Sequence, residues 1–424
     1  MDVRISPAPL SGIITAPPSK SYSHRAILCA ALSDRPTGIR MRAPLCGDIL
    51  ETMDAAKLLG AEIRHGKNDV FEISPMEKGR RESFPVFDIK ESGTTLRFLL
   101  PLCAVLLKGA RFSAGKALSR RPILPLVSEM ERHGCAFSSK SLPFDISGSL
   151  SSGRFRIPGD VSSQFVSALL LALPLLSGDS VIELTSDLVS APYVGMTVDM
   201  MKKFGVSVRC ENHAFFIPGS QKYISPGVID IEGDFSGVSP FLVSGAMGGG
   251  DVSVRALSPR SIQGDGRILG ILGACEATVS SGDGLVSVKG GGALSPIRAD
   301  LSDTPDIFPC LAVLSCAISG ESAFYGVGRL KYKESDRALS TMAMIRALSG
   351  NCRMEDDAFF VSGGGKLSGG IIDSAGDHRI AMAAAAASSI CENDVIIKGA
   401  QCVFKSYPDF FKDFKLLGGE CDVL

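Results

Sequence analysis

A chain of 424 residues is longer than one hydrophobic core usually supports, so we expect two domains. The 44 basic residues nearly match the 45 acidic residues, the formal net charge is −1, and there is no tryptophan. This composition argues against a surface built mainly to bind nucleic acid or an acidic membrane.

Targeting signals and metal-binding patterns are not apparent in the sequence. The longest apolar runs are too short to cross a bilayer, and the N-terminus shows no cleavable signal pattern. The twelve cysteines are scattered singly, without a C-x-x-C pair or a histidine at ligand spacing. We therefore expect a cytoplasmic protein with free thiols and no metal site.

The predicted elements repeat six times along the chain. In each repeat an apolar helix ends in glycine and a strand follows at once. Because glycine has no Cβ, it suits the left-handed residue that closes a helix. The six glycines are Gly60, Gly134, Gly205, Gly273, Gly350 and Gly418. The sequence thus predicts six copies of one strand–helix unit.

A polar turn precedes a second helix in each repeat. Asp, Ser and Thr at such turns predict helix caps. A helix N-terminus also offers free N–H groups and the positive end of a dipole to an anion. The six turns are residues 46–48, 91–95, 159–164, 233–236, 300–306 and 375–379.

The apolar stretches 165–176, 308–317 and 380–387 predict helices buried on all sides. Six such units suggest two α/β lobes, each made of three repeats in a pseudo-threefold arrangement. Turn residues near Pro226 place a break between the third and fourth units. We therefore predict an N-terminal lobe of residues 17–228 and a C-terminal lobe of residues 1–16 plus 229–424.

Four polar stretches each place Lys or Arg beside a hydroxyl, carboxylate or imidazole group. They are residues 18–25, 333–337, 376–379 and 405–409. Cations gathered with acids and possible bases, in a chain of nearly neutral charge, are typical of a site for a small, multiply anionic substrate.

These stretches and others resemble the EPSP synthase family over essentially the full chain. The matching motifs are residues 18–25, 93–97, 121–122, 162–165, 190–193, 333–337, 377–382 and 405–411. The resemblance implies a two-lobed inside-out α/β barrel with its active site in the cleft between the lobes. It also implies a monomer without metal or organic cofactor. The implied reaction transfers the enolpyruvyl group of phosphoenolpyruvate to the 5-hydroxyl of shikimate 3-phosphate and releases phosphate, on the route to chorismate and aromatic amino acids.

The resemblance assigns residues to the two substrates and to the proton transfers. For phosphoenolpyruvate they are Lys20, Gly93, Arg121, Gln164, Arg337, His378, Arg379 and Lys405. For shikimate 3-phosphate they are Lys20, Ser21, Arg25, Ser162, Ser163, Gln164, Ser190, Tyr193, Asp306 and Lys333. Asp306 is implied to accept the hydroxyl proton, Glu334 to protonate the methylene carbon, and Lys20 to assist catalysis.

Two other functions are compatible with a repeated α/β chain. One is that of the related UDP-N-acetylglucosamine enolpyruvyl transferase. The catalytic loop of that enzyme is a segment that carries a cysteine before an Arg-Pro pair, whereas the corresponding residues 117–122 contain no cysteine. A noncatalytic repeat scaffold would tolerate the loss of Asp306 and Glu334. The chain also departs from the family pattern at Glu91, Phe98 and Arg329.

Overall fold

The computed structural model of the protein describes residues 1–76, 84–248, 250–290 and 292–424. The described chain divides into two compact units. Residues 20–231 form the middle unit, and residues 1–19 with 232–424 form the terminal unit. The chain passes from one to the other after Ser19 and after Ile231, a few residues beyond the boundaries expected from the sequence.

Strands and helices alternate along the described chain. The strands are β1 (Val3–Ser6), β2 (Gly12–Thr15), β3 (Thr37–Arg40), β4 (Glu62–His65), β5 (Val70–Ser74), β6 (Val86–Ile89), β7 (Gly109–Ala114), β8 (Cys135–Phe137), β9 (Phe144–Gly148), β10 (Arg154–Ile157), β11 (Ser180–Leu184), β12 (Arg209–Glu211), β13 (Ala214–Ile217), β14 (Val228–Asp230), β15 (Asp251–Arg255), β16 (Thr278–Gly282), β17 (Leu285–Lys289), β18 (Arg298–Asp300), β19 (Gly320–Tyr325), β20 (Asn351–Glu355), β21 (Ala358–Gly363), β22 (Gly370–Asp373), β23 (Val395–Lys398) and β24 (Glu420–Val423). The helices are α1 (Lys20–Ala31), α2 (Gly47–Leu59), α3 (Gly93–Leu106), α4 (Leu124–Arg132), α5 (Ser163–Ala172), α6 (Ala191–Lys203), α7 (Phe235–Met247), α8 (Ile268–Ala274), α9 (Phe308–Ala317), α10 (Arg337–Ala347), α11 (His378–Ala387) and α12 (Phe410–Leu416).

The described strands form four-stranded sheets that all share one topology. The sheets of the middle unit have the orders β14-β3-β5-β4, β6-β7-β9-β8 and β10-β11-β13-β12. Those of the terminal unit have the orders β2-β15-β17-β16, β18-β19-β21-β20 and β22-β23-β1-β24. In every sheet the first two strands are parallel and the remaining pairs are antiparallel. The prediction of six copies of one unit is confirmed.

Two sheets take their first strand from a distant part of the chain. β14 lies parallel to β3, with Ile229 opposite Ile39. β2 lies parallel to β15, with Ile14 opposite Val254. Because β14 completes a sheet of the middle unit, the chain leaves that unit only after this strand.

Three helices of each unit are buried almost throughout, and the sheets have one face in water. The buried helices are α1, α3 and α5 in the middle unit and α7, α9 and α11 in the terminal unit. Every residue of α11 is buried, and so are residues 308–316 of α9. In β10, by contrast, buried and exposed residues alternate, which is typical of a sheet with one face in water. This is the expected inside-out α/β arrangement, and the three predicted all-apolar helices lie in it as α5, α9 and α11.

The left-handed residues that follow the helices agree with the prediction in four repeats and differ in two. They are Gly60, Gly134, Gly205, Glu276, Ser349 and Gly418, with φ between 65° and 106°. The glycine prediction is wrong in the fourth repeat because α8 runs past Gly273. It is wrong in the fifth because α10 ends at Ala347, so that Ser349 rather than Gly350 takes the left-handed position.

All twelve cysteines have free thiols, and most are buried. Among the helices of the described residues, none combines the length and the apolar character needed to span a membrane.

Candidate active site

Four of the six predicted polar turns cap the helix that follows. In each, a side-chain oxygen accepts a hydrogen bond from a backbone N–H of the first turn. The capping residues are Ser92 for α3, Ser162 for α5, Asp234 for α7 and Asp377 for α11. At α2 and α9 the residues before the helix are Cys46 and Ile307, and neither side chain caps.

In the middle unit, α3 and α5 hold a glutamine between an arginine and a threonine. The guanidinium of Arg97 donates to Gln164 Oε1 at 2.6 Å and to the carbonyl of Pro122 at 2.8 Å. Gln164 Nε2 donates to Thr94 Oγ1 at 2.9 Å. The Gln164 amide thus has a fixed orientation, with Arg97 as its positioning residue.

Gly93, the first residue of α3, lies against two guanidinium groups. A Cβ atom at Gly93 would lie 2.7 Å from Arg97 Nη1 and 2.9 Å from Arg121 Nη1. Both distances are shorter than a side-chain carbon tolerates, so only glycine fits this position without displacing an arginine. The structure therefore brings together three residues predicted to bind phosphoenolpyruvate: Gly93, Arg121 and Gln164.

Lys20 forms an ion pair at the start of α1. Its Nζ donates to Asp48 Oδ2 at 2.8 Å, and the side chain of Lys20 is 16% exposed while that of Asp48 is 6% exposed. Asp48 lies in the first turn of α2, within the stretch 46–48 that was predicted to be a helix-capping turn. Its carboxylate instead fixes the predicted catalytic lysine.

Arg25 is buried among neutral oxygen atoms. It donates to Thr197 Oγ1 at 2.7 Å, to the carbonyl of Ser21 at 2.7 Å and to the carbonyl of Tyr193 at 2.8 Å. Its guanidinium carbon also lies 5.3 Å from the ring centroid of Phe98. Burial lowers the pKa of Arg25 to about 10, which leaves it charged at neutral pH. These contacts join α1 to α6 through a residue predicted to bind a phosphate.

The predicted serine ligands lie at helix starts. Ser162 Oγ accepts from the backbone N–H of Gln164 at 3.3 Å, and Ser163 begins α5 and is buried. Ser190 precedes α6 in a left-handed conformation with φ 55°. Such a conformation is uncommon for serine and occurs often at binding sites. Ser21 lies in the first turn of α1.

In the terminal unit, Arg337 pairs with three carboxylates. Its Nη1 donates to Asp306 Oδ1 at 2.7 Å, its Nη2 to Glu334 Oε2 at 2.7 Å, and its Nε to Asp377 Oδ2 at 3.0 Å. The Arg337 side chain is 1% exposed. We call these four residues the Arg337 cluster. It places the two predicted acid–base carboxylates on different nitrogens of one guanidinium.

Asp306 is surrounded by positive charge. Lys333 Nζ donates to its Oδ1 at 3.0 Å, and Arg379 Nη2 lies 3.7 Å from its Oδ2. Burial acts to raise the pKa of Asp306, but the charges of Lys333, Arg337 and Arg379 outweigh it and hold that pKa well below its usual value. The carboxylate is therefore ionised in the free protein.

The remaining predicted residues of the terminal unit lie around the Arg337 cluster. Lys405 Nζ lies 3.7 Å from Glu334 Oε1. His378 and Arg379 begin α11 and are buried, and His378 Nδ1 lies 3.9 Å from Asp377 Oδ1. Arg379 also donates to the carbonyl of Ser236.

A buried carboxyl near these groups was missed by the sequence analysis. Asp265 is 1% exposed and accepts a hydrogen bond from Ser236 Oγ. Burial and the charge of Asp306 raise the pKa of Asp265 to about 7. Asp265 lies between two glycines, outside every stretch that the sequence analysis assigned to the site.

His24 is a buried neutral imidazole, and it makes the stability of the protein depend on pH. Burial lowers the pKa of His24 to about 3, with Asp48 opposing the shift and Lys20 and Arg25 adding to it. In the unfolded chain a histidine titrates near 6.5, so acid protonates the unfolded state first. Stability is therefore lost as pH falls below that value.

We expect His24→Asn to reduce this acid sensitivity. Between pH 7 and pH 5 the wild type should lose about 2 kcal/mol more of unfolding free energy than the variant, because asparagine cannot take up the proton. Urea unfolding of both proteins at both pH values measures this difference. Asp265 titrates in the wild type and in the variant alike, so its contribution drops out when the two losses are subtracted. Equal losses in the two proteins would contradict the prediction.

No group of three or more His, Cys, Asp or Glu side chains among the described residues could hold a metal ion.

Comparison with known proteins identifies the family. The family model for EPSP synthase (3-phosphoshikimate 1-carboxyvinyltransferase) matches residues 5–414. The chain is 39% identical to the 3-phosphoshikimate 1-carboxyvinyltransferase of Clostridium kluyveri, across 99% of this chain and 98% of that protein. It is 37% identical to the protein of the same name from Methanocorpusculum labreanum, across 99% of both.

A solved structure of EPSP synthase from Acinetobacter baumannii superposes with a TM-score of 0.83, covers 100% of both chains and is 24% identical in sequence, which supports the fold. Fold and matched motifs define an α/β transferase of repeated strand–helix units. The chain belongs to the EPSP synthase family. The UDP-N-acetylglucosamine enolpyruvyl transferase alternative is not favoured, because the matched family model and these relatives carry the other name.

Proposed function

We propose that this protein transfers the enolpyruvyl group of phosphoenolpyruvate to the 5-hydroxyl of shikimate 3-phosphate and releases phosphate. The observation that carries the proposal is the Arg337 cluster, in which one buried guanidinium holds Asp306 and Glu334. Addition across an enol carbon needs a group that removes a proton and a group that delivers one, and two carboxylates in different environments can divide these tasks.

The cations of both units bind the substrate anions in this proposal. Arginine matches carboxylate and phosphate with two parallel N–H donors, and lysine supplies a point charge. Phosphoenolpyruvate is assigned to Lys20, Gly93, Arg121, Gln164, Arg337, His378, Arg379 and Lys405. Shikimate 3-phosphate is assigned to Lys20, Ser21, Arg25, Ser162, Ser163, Gln164, Ser190, Tyr193, Asp306 and Lys333.

Asp306 accepts the 5-hydroxyl proton as the oxygen attacks the second carbon of phosphoenolpyruvate. In the free protein its low pKa makes it a weak base. Substrate phosphate and carboxylate groups bound to Lys333 and Arg379 offset the positive charge beside Asp306. The pKa of Asp306 consequently rises when the substrates bind, and the carboxylate becomes a better base where one is needed.

Glu334 must carry a proton when the substrates are bound, and it delivers this proton to the methylene carbon during addition, which leaves Glu334 as a carboxylate. The product of this step is a tetrahedral adduct with a methyl group. In the second step Glu334 takes a proton back from the methyl group, the carbon–oxygen bond to phosphate breaks, and the proton held by Asp306 leaves with the phosphate. Arg337 holds Glu334 throughout, and Lys405 lies 3.7 Å from its other oxygen.

The direct test is phosphate release from purified protein. We expect release only when shikimate 3-phosphate and phosphoenolpyruvate are both present, together with formation of the enolpyruvyl product, and we expect EDTA to leave the rate unchanged. Turnover with UDP-N-acetylglucosamine instead would support the related transferase. No turnover with either acceptor would contradict the proposal. The proposal also includes a monomer that acts in the cytoplasm, which gel filtration and cell fractionation would test.

We expect Gly93→Ala to weaken phosphoenolpyruvate binding selectively. The added methyl group meets Arg97 and Arg121, and Arg97 is tied to Gln164 and cannot retreat easily. KM for phosphoenolpyruvate should rise about 10-fold, while KM for shikimate 3-phosphate changes less than about 2-fold.

Gly195→Ala is the matched control for this prediction. Gly195 also lies in a helix of the middle unit, but nothing lies within 4 Å of the Cβ that the change would add. It should therefore leave both KM values as in the wild type. Steady-state kinetics of the three proteins checks this, and an unchanged KM for phosphoenolpyruvate in Gly93→Ala would refute the assignment of this glycine.

A further inference from the structure

A chain of buried hydroxyl groups links His24 to the first turn of α3. His24 Nδ1 lies 2.6 Å from Thr52 Oγ1, which lies 2.6 Å from Thr95 Oγ1. Thr95 Oγ1 lies 2.7 Å from Ser92 Oγ, and Ser92 Oγ accepts from the backbone N–H of Thr95 at 3.2 Å. Each of the four residues is 1% exposed or less. We call His24, Thr52, Thr95 and Ser92 the relay.

The relay joins the starts of two helices that carry proposed substrate ligands. Its first member, His24, lies one turn after Lys20 in α1, and its last member, Ser92, directly precedes Gly93 in α3. Thr52 belongs to α2, the helix whose Asp48 pairs with Lys20. A shift in any link of the relay therefore moves Gly93 relative to Lys20.

Hydrogen positions along the relay are mutually dependent. Each hydroxyl donates a single hydrogen, and Thr52 Oγ1 has the carbonyl of Asp48 at 3.4 Å as a further acceptor, so Thr52 can receive hydrogen bonds from both of its neighbours in the relay or pass one along it in either direction. Nδ1 is the ring nitrogen that takes part. Nε2 is buried and has no hydrogen-bond partner within the described residues. Since the imidazole is neutral at physiological pH, either direction remains available.

We propose that His24 is a positioning residue for phosphoenolpyruvate binding: through Thr52 and Thr95 it sets where the first turn of α3 places Gly93. The inference rests on the proposed function. α1 itself is held to α6 by the bonds of Arg25, so breaking the relay displaces the start of α3 more than the start of α1. Glu51 also accepts from the backbone N–H groups of Glu91 and Ser92, so the displacement is limited rather than an unfolding of the turn.

The test compares two amides at position 24. The polar atoms of an asparagine side chain lie where Nδ1 lies in histidine, and those of glutamine lie closer to Nε2. His24→Gln should raise KM for phosphoenolpyruvate about 10-fold with little change in KM for shikimate 3-phosphate, whereas His24→Asn should stay within about 2-fold of the wild type for both. If His24 had only a structural role, the two variants would change the melting temperature. They would not raise KM for one substrate alone, and KM would not differ between the asparagine and glutamine variants.

A second pair of variants interrupts the relay at its middle. Thr52→Val removes the hydroxyl and keeps the shape, while Thr52→Ser keeps the hydroxyl. We expect the valine variant to behave like His24→Gln and the serine variant to behave like the wild type. Equal KM values for phosphoenolpyruvate across the folded variants would overturn the inference. Failure of the wild type to turn over the two substrates would instead refute the proposed function.

Discussion

We expect the replacement of Arg337 with methionine to abolish activity and to lower the unfolding free energy by about 3–5 kcal/mol. The reason is that Asp306, Glu334 and Asp377 share this guanidinium, and each is 20% exposed or less. Methionine fills a similar volume without charge, so three close carboxylates lose their common counter-charge. Activity falls as well, because both proposed acid–base groups lose the partner that orients them.

Arg353→Met is the matched control for this prediction. Arg353 also pairs with two carboxylates, Glu321 and Glu355, but its side chain is 44% exposed. Exposed ion pairs contribute little, so its replacement should cost less than about 1 kcal/mol and leave kcat unchanged. Denaturant unfolding and steady-state kinetics of both variants measure the contrast.

A double variant tests the physical explanation. Arg337→Met with Asp377→Asn removes the guanidinium together with one uncompensated charge, so it should recover part of the lost stability while remaining inactive. If Arg337→Met and Arg353→Met lose similar stability, the Arg337 cluster does not act as described.

We expect the replacement of Asp306 with asparagine, or of Glu334 with glutamine, to lower kcat by about 100-fold or more. Each change keeps the shape of the side chain and one accepting oxygen, but it removes the negative charge and the capacity to exchange a proton. KM values should change far less than kcat, because the neighbouring cations that hold the substrate anions remain in place.

Asp336→Asn provides the control for these two changes. Asp336 lies two residues from Glu334, and its side chain caps α10 by accepting from the backbone N–H of Leu339 at 3.2 Å. Asparagine caps a helix equally well, so this variant removes a nearby charge without removing a proposed proton-transfer group. It should retain near-normal kcat. A near-normal kcat in Asp306→Asn or Glu334→Gln would show that the residue does not transfer a proton.

The structure shows what two of the three residues that depart from the family pattern contact, namely Phe98 and Arg329. Phe98 is fully buried and lies under the guanidinium of Arg25, so it supports a residue assigned to shikimate 3-phosphate. Arg329 donates to the carbonyl of Ser302 at 2.6 Å, and its charge contributes to lowering the pKa of Lys333, for which burial is the main cause. Neither contact could be read from the sequence, since each joins separate elements.

Buried helices and helix caps could be predicted from the sequence alone, because each depends on residues that are close together in the chain. The all-apolar stretches became the buried helices α5, α9 and α11, because a helix without a polar face has no stable position except inside a core. Ser92 and Asp377 cap their helices as their turn positions predicted, because a cap needs only a side chain and the next two or three N–H groups.

Features that depend on distant residues were decided by the tertiary structure. β14 pairs with β3, and the sequence contains no signal for a partner so far along the chain. The left-handed positions of Glu276 and Ser349 depend on where packing ends α8 and α10, which overrode the local preference for glycine. The carboxylates around Arg337 and the hydroxyls beyond His24 meet only because separate helices pack together, and such contacts arise from packing rather than from local pattern.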